Sequence, residues 1–215
     1  MTKVPEELDR EAFISLLLVL DECKRKRVLS YRKREDQIRC ILADNLARYL
    51  IAREYGAKSK DILFEYNEYG KPLVKGKKEC YFNISHSGEY VICAISHTVV
   101  GCDIQHMQPC DIAIGNLIFT KQEQELVHSE EDFYRMWTLK EALLKAIGVG
   151  ISAEGILINM VSNGIVTDVS YKKEKYYFRQ FANAPKGYSL SLWAADNHID
   201  SKIWELDYKA ICGTL

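Results

Sequence analysis

The sequence predicts an α+β fold of two similar lobes. Each half of the 215 residues opens on helical periodicity and closes on short strand-like runs, the pattern of helices packed on antiparallel sheets. Gly- and Asn-rich turn signals punctuate those runs. A chain of this length holds one large domain or two small ones, and no low-complexity linker divides it. The expected lobes are residues 1–102 and 103–215. No internal sequence repeat relates them.

In the first half, Glu6 to about Arg27 reads as a helix with an acidic first turn and a basic last turn, matching the helix dipole. Glu35 to Tyr55 is a second helix: Ile38, Ile41, Leu42, Leu46, Tyr49 and Leu50 fall near i, i+3, i+4 spacing, and Gly56 is its natural stop. Ile62–Tyr66 is a short strand, and Asn67 to Pro72 holds a Gly-Lys-Pro turn. Tyr81–Ser85 and Tyr90–Ser96 are strands separated by a polar loop, His86-Ser87-Gly88, and Val99–Gln105 is a further strand.

In the second half, Thr120-Lys121-Gln122-Glu123 matches a capping box and starts one helix. Phe133–Ile147 is the next, ended by Gly148. Ile156–Met160, Ile165–Tyr171, Tyr176–Phe181 and Tyr188–Ala195 are strand-like, with Asn163-Gly164 as a hairpin turn.

Composition narrows the class. Hydrophobic content of 47% and charged content of 27% are ordinary for a globular chain. A net charge of −1 argues against generic nucleic-acid binding. No apolar run approaches the ~20 residues that span a bilayer. Phe13–Leu20 follows acidic residues and lacks a cleavage site, so it is not a signal peptide. The seven cysteines form no C-x-x-C pair; Cys23, Cys40, Cys93 and Cys102 read as small buried hydrophobes, and the pattern fits a reducing cytoplasm. The five histidines show no metal spacing.

Chemistry concentrates in the middle of the chain. Trp137, Glu141 and Lys145 are four apart and share one helix face, which is also the spacing of a plain i,i+4 ion pair. Upstream, the apolar strand Val99–Gln105 carries Asp103; alternation points Asp103 and Gln105 one way, and Val100, Cys102 and Ile104 the other. Two acids on separate elements suit a hard cation in phosphate chemistry, because magnesium commonly takes one or two carboxylates plus phosphate oxygens and water. Structural pairing of Asp103 or Glu141 with Lys140 or Lys145 is the alternative. Lys24 and Arg27 lie one turn apart in the basic run from Lys24 and read either as a solvated helix end or as an anion grip. Asn83-Ile84-Ser85-His86-Ser87-Gly88 reads as an ordinary turn or as a phosphate-contacting strand end.

Taken in order, these segments resemble the 4′-phosphopantetheinyl transferase superfamily, in its two-lobed, single-chain Sfp-type branch. Gly101-Cys102-Asp103 looks like that family's Gly-x-Asp strand. Trp137-Thr138-Leu139-Lys140-Glu141-Ala142-Leu143-Leu144-Lys145 looks like its Trp-x-x-Lys-Glu-(Ala/Ser)-x-x-Lys helix. Asn83–Ser87 and Tyr69-Gly70-Lys71-Pro72 look like its Asn-Ile-Ser-His-Ser and Tyr-Gly-Lys-Pro segments. The resemblance covers about residues 10 to 195 and implies a pseudo-twofold α+β fold with the active site at the lobe junction.

It further implies a cytoplasmic, magnesium-dependent transfer of 4′-phosphopantetheine from coenzyme A to a serine of an apo acyl or peptidyl carrier protein. Adenosine 3′,5′-bisphosphate would be released. By the same resemblance Asp103 and Glu141 would bind magnesium, with Gln105 beside them. His86 and Lys145 would hold pyrophosphate oxygens, and Lys24, Arg27, Lys71 and Ser85 would contact the 3′-phosphate and adenosine end. The carrier serine needs a proton acceptor, for which Glu141 is the candidate and Lys140 or a metal-bound water the rivals. Ile112, Ile114, Leu117 and Ile118 are candidates for carrier docking or for core. A monomer, with no nucleic-acid or membrane partner, is the simplest state.

Two departures stand out. Many Sfp-type members carry a glutamate where this chain has Gln105, which predicts weaker magnesium affinity. Family members also commonly begin with a strand, and only Met1–Pro5 precede the first expected helix here. A non-catalytic coenzyme A or carrier-binding module, and an unrelated magnesium-dependent phosphohydrolase, are the competing readings. Asp103, Glu141, Lys145 and His86 together speak against the first, and the missing acid at position 105 against a D-x-D nucleophile in the second.

Overall fold

A computed structural model describes residues 1–149 and 158–213. It begins with a two-residue edge strand, β1 (Thr2–Lys3), paired antiparallel with β5 (Tyr90–Ser96). This strand lies within the five residues that carry no periodicity in the sequence.

The single helix expected over Glu6–Arg27 is two helices, α1 (Arg10–Val19) and α2 (Glu22–Ser30). The break sits at Leu20, which is extended, and Asp21, whose carboxylate accepts from the Lys24 backbone N–H. An aspartate N-cap satisfies a backbone donor that a continuous helix would leave to the ladder. The break lets Phe13, Leu16 and Leu20 bury against α3 (Arg34–Tyr55) while α2 turns its basic residues toward solvent and cleft. Gly56 closes α3 in the left-handed conformation (φ 61°).

Next come the hairpin β2 (Phe64–Tyr66) and β3 (Pro72–Val74), then β4 (Tyr81–Ser87), β5 and β6 (Val100–His106). His86 and Ser87 lie inside β4, not in a loop: pairing with β5 runs through Ser87 opposite Tyr90. Gly88 (φ 51°) and Glu89 alone make the turn.

A short 3₁₀ turn, Ile112–Leu117, leads to α4 (Lys121–Gln124), where the Thr120–Glu123 capping box is present on a helix of four residues. The long helix α5 spans Glu130–Ile147, three residues earlier than the periodicity indicates, because Ser129 caps it and Glu130, Glu131 and Asp132 fill its first turn. Gly148 (φ 81°) ends it.

The hairpin β7 (Val161–Ser162) and β8 (Ile165–Val166) turns on Asn163 and Gly164, both at positive φ. β9 (Val169–Tyr171), β10 (Glu174–Gln180) and β11 (Tyr188–Ala194) follow. The strand expected over Ile156–Met160 lies partly outside the described residues, and pairing begins at Val161. A final helix, α6 (Tyr208–Cys212), was not legible in the sequence; it carries Ile211 back into the core of α1 and α3.

Among the described residues two larger antiparallel sheets result, ordered β1-β5-β4 and β6-β11-β10-β9, beside the two-stranded hairpins β2-β3 and β7-β8. Helix α3 lies on the first, and α5 on the second across β6 and β11. The α+β, two-lobed architecture is therefore present. Between the sheets Met1, Ile92, Cys102, Ile104 and Leu190 form a shared apolar core. A division after residue 102 would fall inside β6, whose pairing with β11 runs from Val100 to His106. All seven cysteines are free; Cys40 and Cys102 are buried and Cys93 half-buried, but Cys23 is exposed on α2.

Candidate active site

The closest approach between α5 and its sheet sets the site. A Cβ on Gly101 would stand 2.2 Å from the Ala142 carbonyl oxygen and 2.3 Å from the Ala146 nitrogen. Only glycine lets the helix lie directly on β6 there. Two residues on, the same strand face carries Asp103, and α5 brings Glu141 and Lys145 over it. Lys145 Nζ lies 2.6 Å from Asp103 Oδ1.

A second device locks the strand across the lobe junction. Alternate side chains of β4 bond the backbone of β6: Asn83 Oδ1 accepts from the Cys102 N–H at 2.9 Å, Ser85 Oγ from Ile104 at 3.4 Å and Ser87 Oγ from His106 at 3.0 Å. Polar side chains at period two thus replace a ladder where the two sheets meet. This accounts for the Asn-x-Ser-x-Ser pattern without any ligand. Ser85 also donates to Asp103 Oδ1 at 2.7 Å and accepts from Lys145 Nζ at 3.1 Å.

The other face of α5 is fixed by polar contacts too. The buried Thr138 hydroxyl lies 3.0 Å from Ser189 Oγ and 2.9 Å from Ser191 Oγ, and Trp193 Nε1 donates to the Leu139 carbonyl. In the sheet Ser191 stands opposite Asp103, and Ser189 opposite Gln105.

These elements enclose a cleft of about 760 Å³ between α2, α3 and β4 on one side and β6 and α5 on the other. Lys24, Arg27, Lys71, Ser85, His86, Asp103, Gln105, Glu141 and Lys145 all line it, as does Trp137. Every residue expected at the site is thus brought together except Lys140. Its ammonium points away from the cleft and is held by Glu123, which removes it as a rival proton acceptor. A strand or helix pattern cannot reveal such a partner seventeen residues away.

Two other residues are placed differently from expectation. Lys71 lines the cleft with its chain, but its ammonium donates to the carbonyls of Ala146 (2.9 Å) and Val100 (3.4 Å), at the negative end of α5. Asn67 Nδ2 donates to the Gly148 carbonyl beside it. Burial lowers the Lys71 pKa to about 8. Gln105 turns its amide nitrogen toward Asp103 Oδ2 (3.1 Å) and its oxygen toward Ser87 Oγ (3.4 Å). Direct ligation of a cation by Gln105 requires the amide to turn over.

The electrostatics are those of an anion site with an acidic centre. Desolvation, then the charges of Lys145, Arg39 and Lys24, pushes the His86 imidazolium below its ordinary range, although the residue is exposed. The Glu141 carboxyl is pushed up, first by burial and then by the Asp103 charge, with Lys145 offsetting part. Among the described residues none donates a hydrogen bond to the Glu141 carboxylate. No cluster of three or more His, Cys, Asp and Glu side chains capable of holding a metal occurs among them either. The donor set is therefore two carboxylates with excess negative charge and one amide. That fits magnesium bound jointly with phosphate oxygens, and does not fit an all-protein metal cage.

Comparison with known proteins places the whole of this fold in one family. The family model described as 4′-phosphopantetheinyl transferase, N-terminal, matches residues 7–98, and that of the 4′-phosphopantetheinyl transferase superfamily matches residues 99–195. The chain is 30% identical over 197 residues to the 4′-phosphopantetheinyl transferase Sfp of Bacillus subtilis (strain 168), spanning 87% of this chain and 88% of that protein. It is 30% identical over 214 residues to the 4′-phosphopantetheinyl transferase ffp of Bacillus subtilis (96% and 93%). Over 155 residues it is 37% identical to the 4′-phosphopantetheinyl transferase gsp of Aneurinibacillus migulanus (69% and 65%).

Proposed function

The chain belongs to the 4′-phosphopantetheinyl transferase superfamily, in its Sfp-type branch, and from that premise we propose that it transfers 4′-phosphopantetheine from coenzyme A to a serine hydroxyl of an apo acyl or peptidyl carrier protein. The reaction would require magnesium and release adenosine 3′,5′-bisphosphate. The observation that carries this reading is the convergence of Asp103 and Glu141 on a cleft otherwise edged by Lys24, Arg27, His86 and Lys145.

Coenzyme A carries a pyrophosphate and a separate 3′-phosphate, and the cleft offers two groups of anion-binding side chains. Lys24 and Arg27, one turn apart on α2, suit the 3′-phosphate. His86 and Lys145 suit the pyrophosphate. Ser85 and the alkyl chain of Lys71 wall the space between. Asp103 and Glu141 would hold magnesium, with Gln105 alongside. When bound, the ion would supply positive charge to offset the negative charge of the pyrophosphate.

Lys145 is already oriented by Asp103 and Ser85, so it meets the anion with little reorganisation. Glu141 takes the proton from the carrier serine, and its raised proton affinity suits that task. Ile112, Ile114 and Leu117, which are 36%, 47% and 86% exposed ahead of α4, offer the carrier an apolar docking face, while Ile118 packs into the core. The same reading describes a cytoplasmic monomer with its active site at the junction of the two lobes.

Incubation with coenzyme A, magnesium and an apo carrier, followed by the intact mass of the carrier, tests the proposal. A transferase adds one phosphopantetheine arm. A binding module leaves the carrier mass unchanged, and a phosphohydrolase releases inorganic phosphate instead.

A further inference from the structure

Glu123 and Lys140 form the most completely bonded buried ion pair in the described residues, and neither lines the cleft. Lys140 Nζ donates to both carboxylate oxygens of Glu123, each at 2.9 Å, and to the Ile158 carbonyl. All three ammonium hydrogens are thereby used. Glu123 Oε1 also accepts from the Met160 N–H and Oε2 from the Thr120 N–H, each at 2.9 Å. Three separate stretches of chain meet here: the capped start of α4, the middle of α5, and residues 158–160 leading into β7.

Such a pair is a poor source of net stability, since desolvation of both charges offsets their attraction; fixing one arrangement over its neighbours is the best-attested use. Here the arrangement at stake is the rotation of α5. Lys140 and Glu141 are consecutive, so their side chains leave the helix about 100° apart. Anchoring one sets the direction of the other. A side-chain tip lies about 6 Å from a helix axis, so a rotation of about 20° moves it about 2 Å. A shift of about 1 Å can cost about 100-fold in rate.

We propose that Glu123 and Lys140 are a positioning pair that sets the rotation of α5, and so the placement of Glu141, from outside the cleft. This rests on the reading of the cleft as a transferase site.

The test compares, on the full chain, Lys140→Met, Glu123→Gln and the apolar pair Lys140→Met/Glu123→Leu. Turnover with coenzyme A, magnesium and an apo carrier is measured alongside coenzyme A affinity and thermal unfolding. Each single variant should lose about 10- to 100-fold in kcat. The apolar double variant should recover thermal stability yet be no worse in kcat than the poorer single variant. Coenzyme A affinity should fall less than kcat, because Lys145 shifts with α5 while Lys24, Arg27 and His86 sit in the other lobe.

A double variant that regains wild-type kcat with its stability would show the pair to be merely structural. A silent Glu123→Gln beside an inactive Lys140→Met would give Lys140 a direct role; either result overturns the proposal. If the wild-type chain transfers nothing, the transferase reading fails and the pair is judged by amide hydrogen exchange instead. Exchange should then accelerate across residues 138–145 in the double variant but not in α3, and unchanged exchange overturns the pairing role.

Discussion

Lys145 on α5 and Asp103 on β6 meet at 2.6 Å, with the Ser85 hydroxyl bonded to both. Asp103 is almost wholly buried and Lys145 is partly open to the cleft. A lysine held this way is oriented before any anion arrives. Replacing Lys145 with Met should lower kcat/KM about 100- to 1000-fold, the scale of losing one preorganised charged donor. Losses below about tenfold would mean that the lysine serves only Asp103.

Gly101 predicts a steric outcome. Its substitution by Ala drives a methyl into the backbone of Ala142 and Ala146. Overpacking of this kind costs about 1–3 kcal/mol, and more where backbone must yield. Thermal unfolding of Gly101→Ala should shift down accordingly, with α5 lifted from β6 and turnover lost at temperatures where the fold survives. A variant of unchanged stability and rate would contradict the close approach.

The raised Glu141 carboxyl gives a pH dependence with a definite sign. Burial and the Asp103 charge raise its proton affinity, so protons compete with a cation for this carboxylate. Apparent magnesium affinity should therefore fall as pH drops, from a higher pH than an ordinary glutamate would set. In Glu141→Gln this part of the dependence should vanish along with most turnover. Near-normal turnover of Glu141→Gln at saturating magnesium would remove it as both ligand and base.

Gln105→Glu tests the amide beside Asp103. An added carboxylate raises the ligand charge, so half-saturating magnesium should drop several-fold. An identical magnesium titration in wild type and variant would mean that position 105 does not face the ion.

Lys71 links α5 to the turn of the other lobe, and its pKa of about 8 makes the link pH-sensitive. Between about pH 8 and the ordinary lysine value near 10.4, the unfolded chain binds a proton here that the folded chain lacks. This group's contribution to stability therefore rises with pH across that window. Denaturant unfolding of wild type and Lys71→Met should show that extra rise only in wild type. Parallel curves would place the Lys71 pKa at its ordinary value.

How far the sequence could be read depended on whether a signal was local. Helix α5 was legible because Trp137, Glu141 and Lys145 repeat at four, and because Gly148 stops it. Asp103 and Gln105 were legible as one strand face. The break between α1 and α2 was not, because Leu20 and Asp21 interrupt an apolar-to-basic run with neither Gly nor Pro. His86 and Ser87 read as loop because polar residues that bond a neighbouring strand look like turn residues in one dimension. Lys140 and Lys71 were misplaced for a different reason. Their partners, Glu123 and the Ala146 carbonyl, are distant in sequence, and no spacing rule reports a long-range acceptor.

Titration of magnesium into the coenzyme A-loaded chain by calorimetry, for wild type, Asp103→Asn and Glu141→Gln, addresses the convergence of the two acids most directly. One ion should bind to wild type, and each substitution alone should weaken it at least tenfold. Wild-type binding that survives either change intact would show that the two carboxylates do not share an ion.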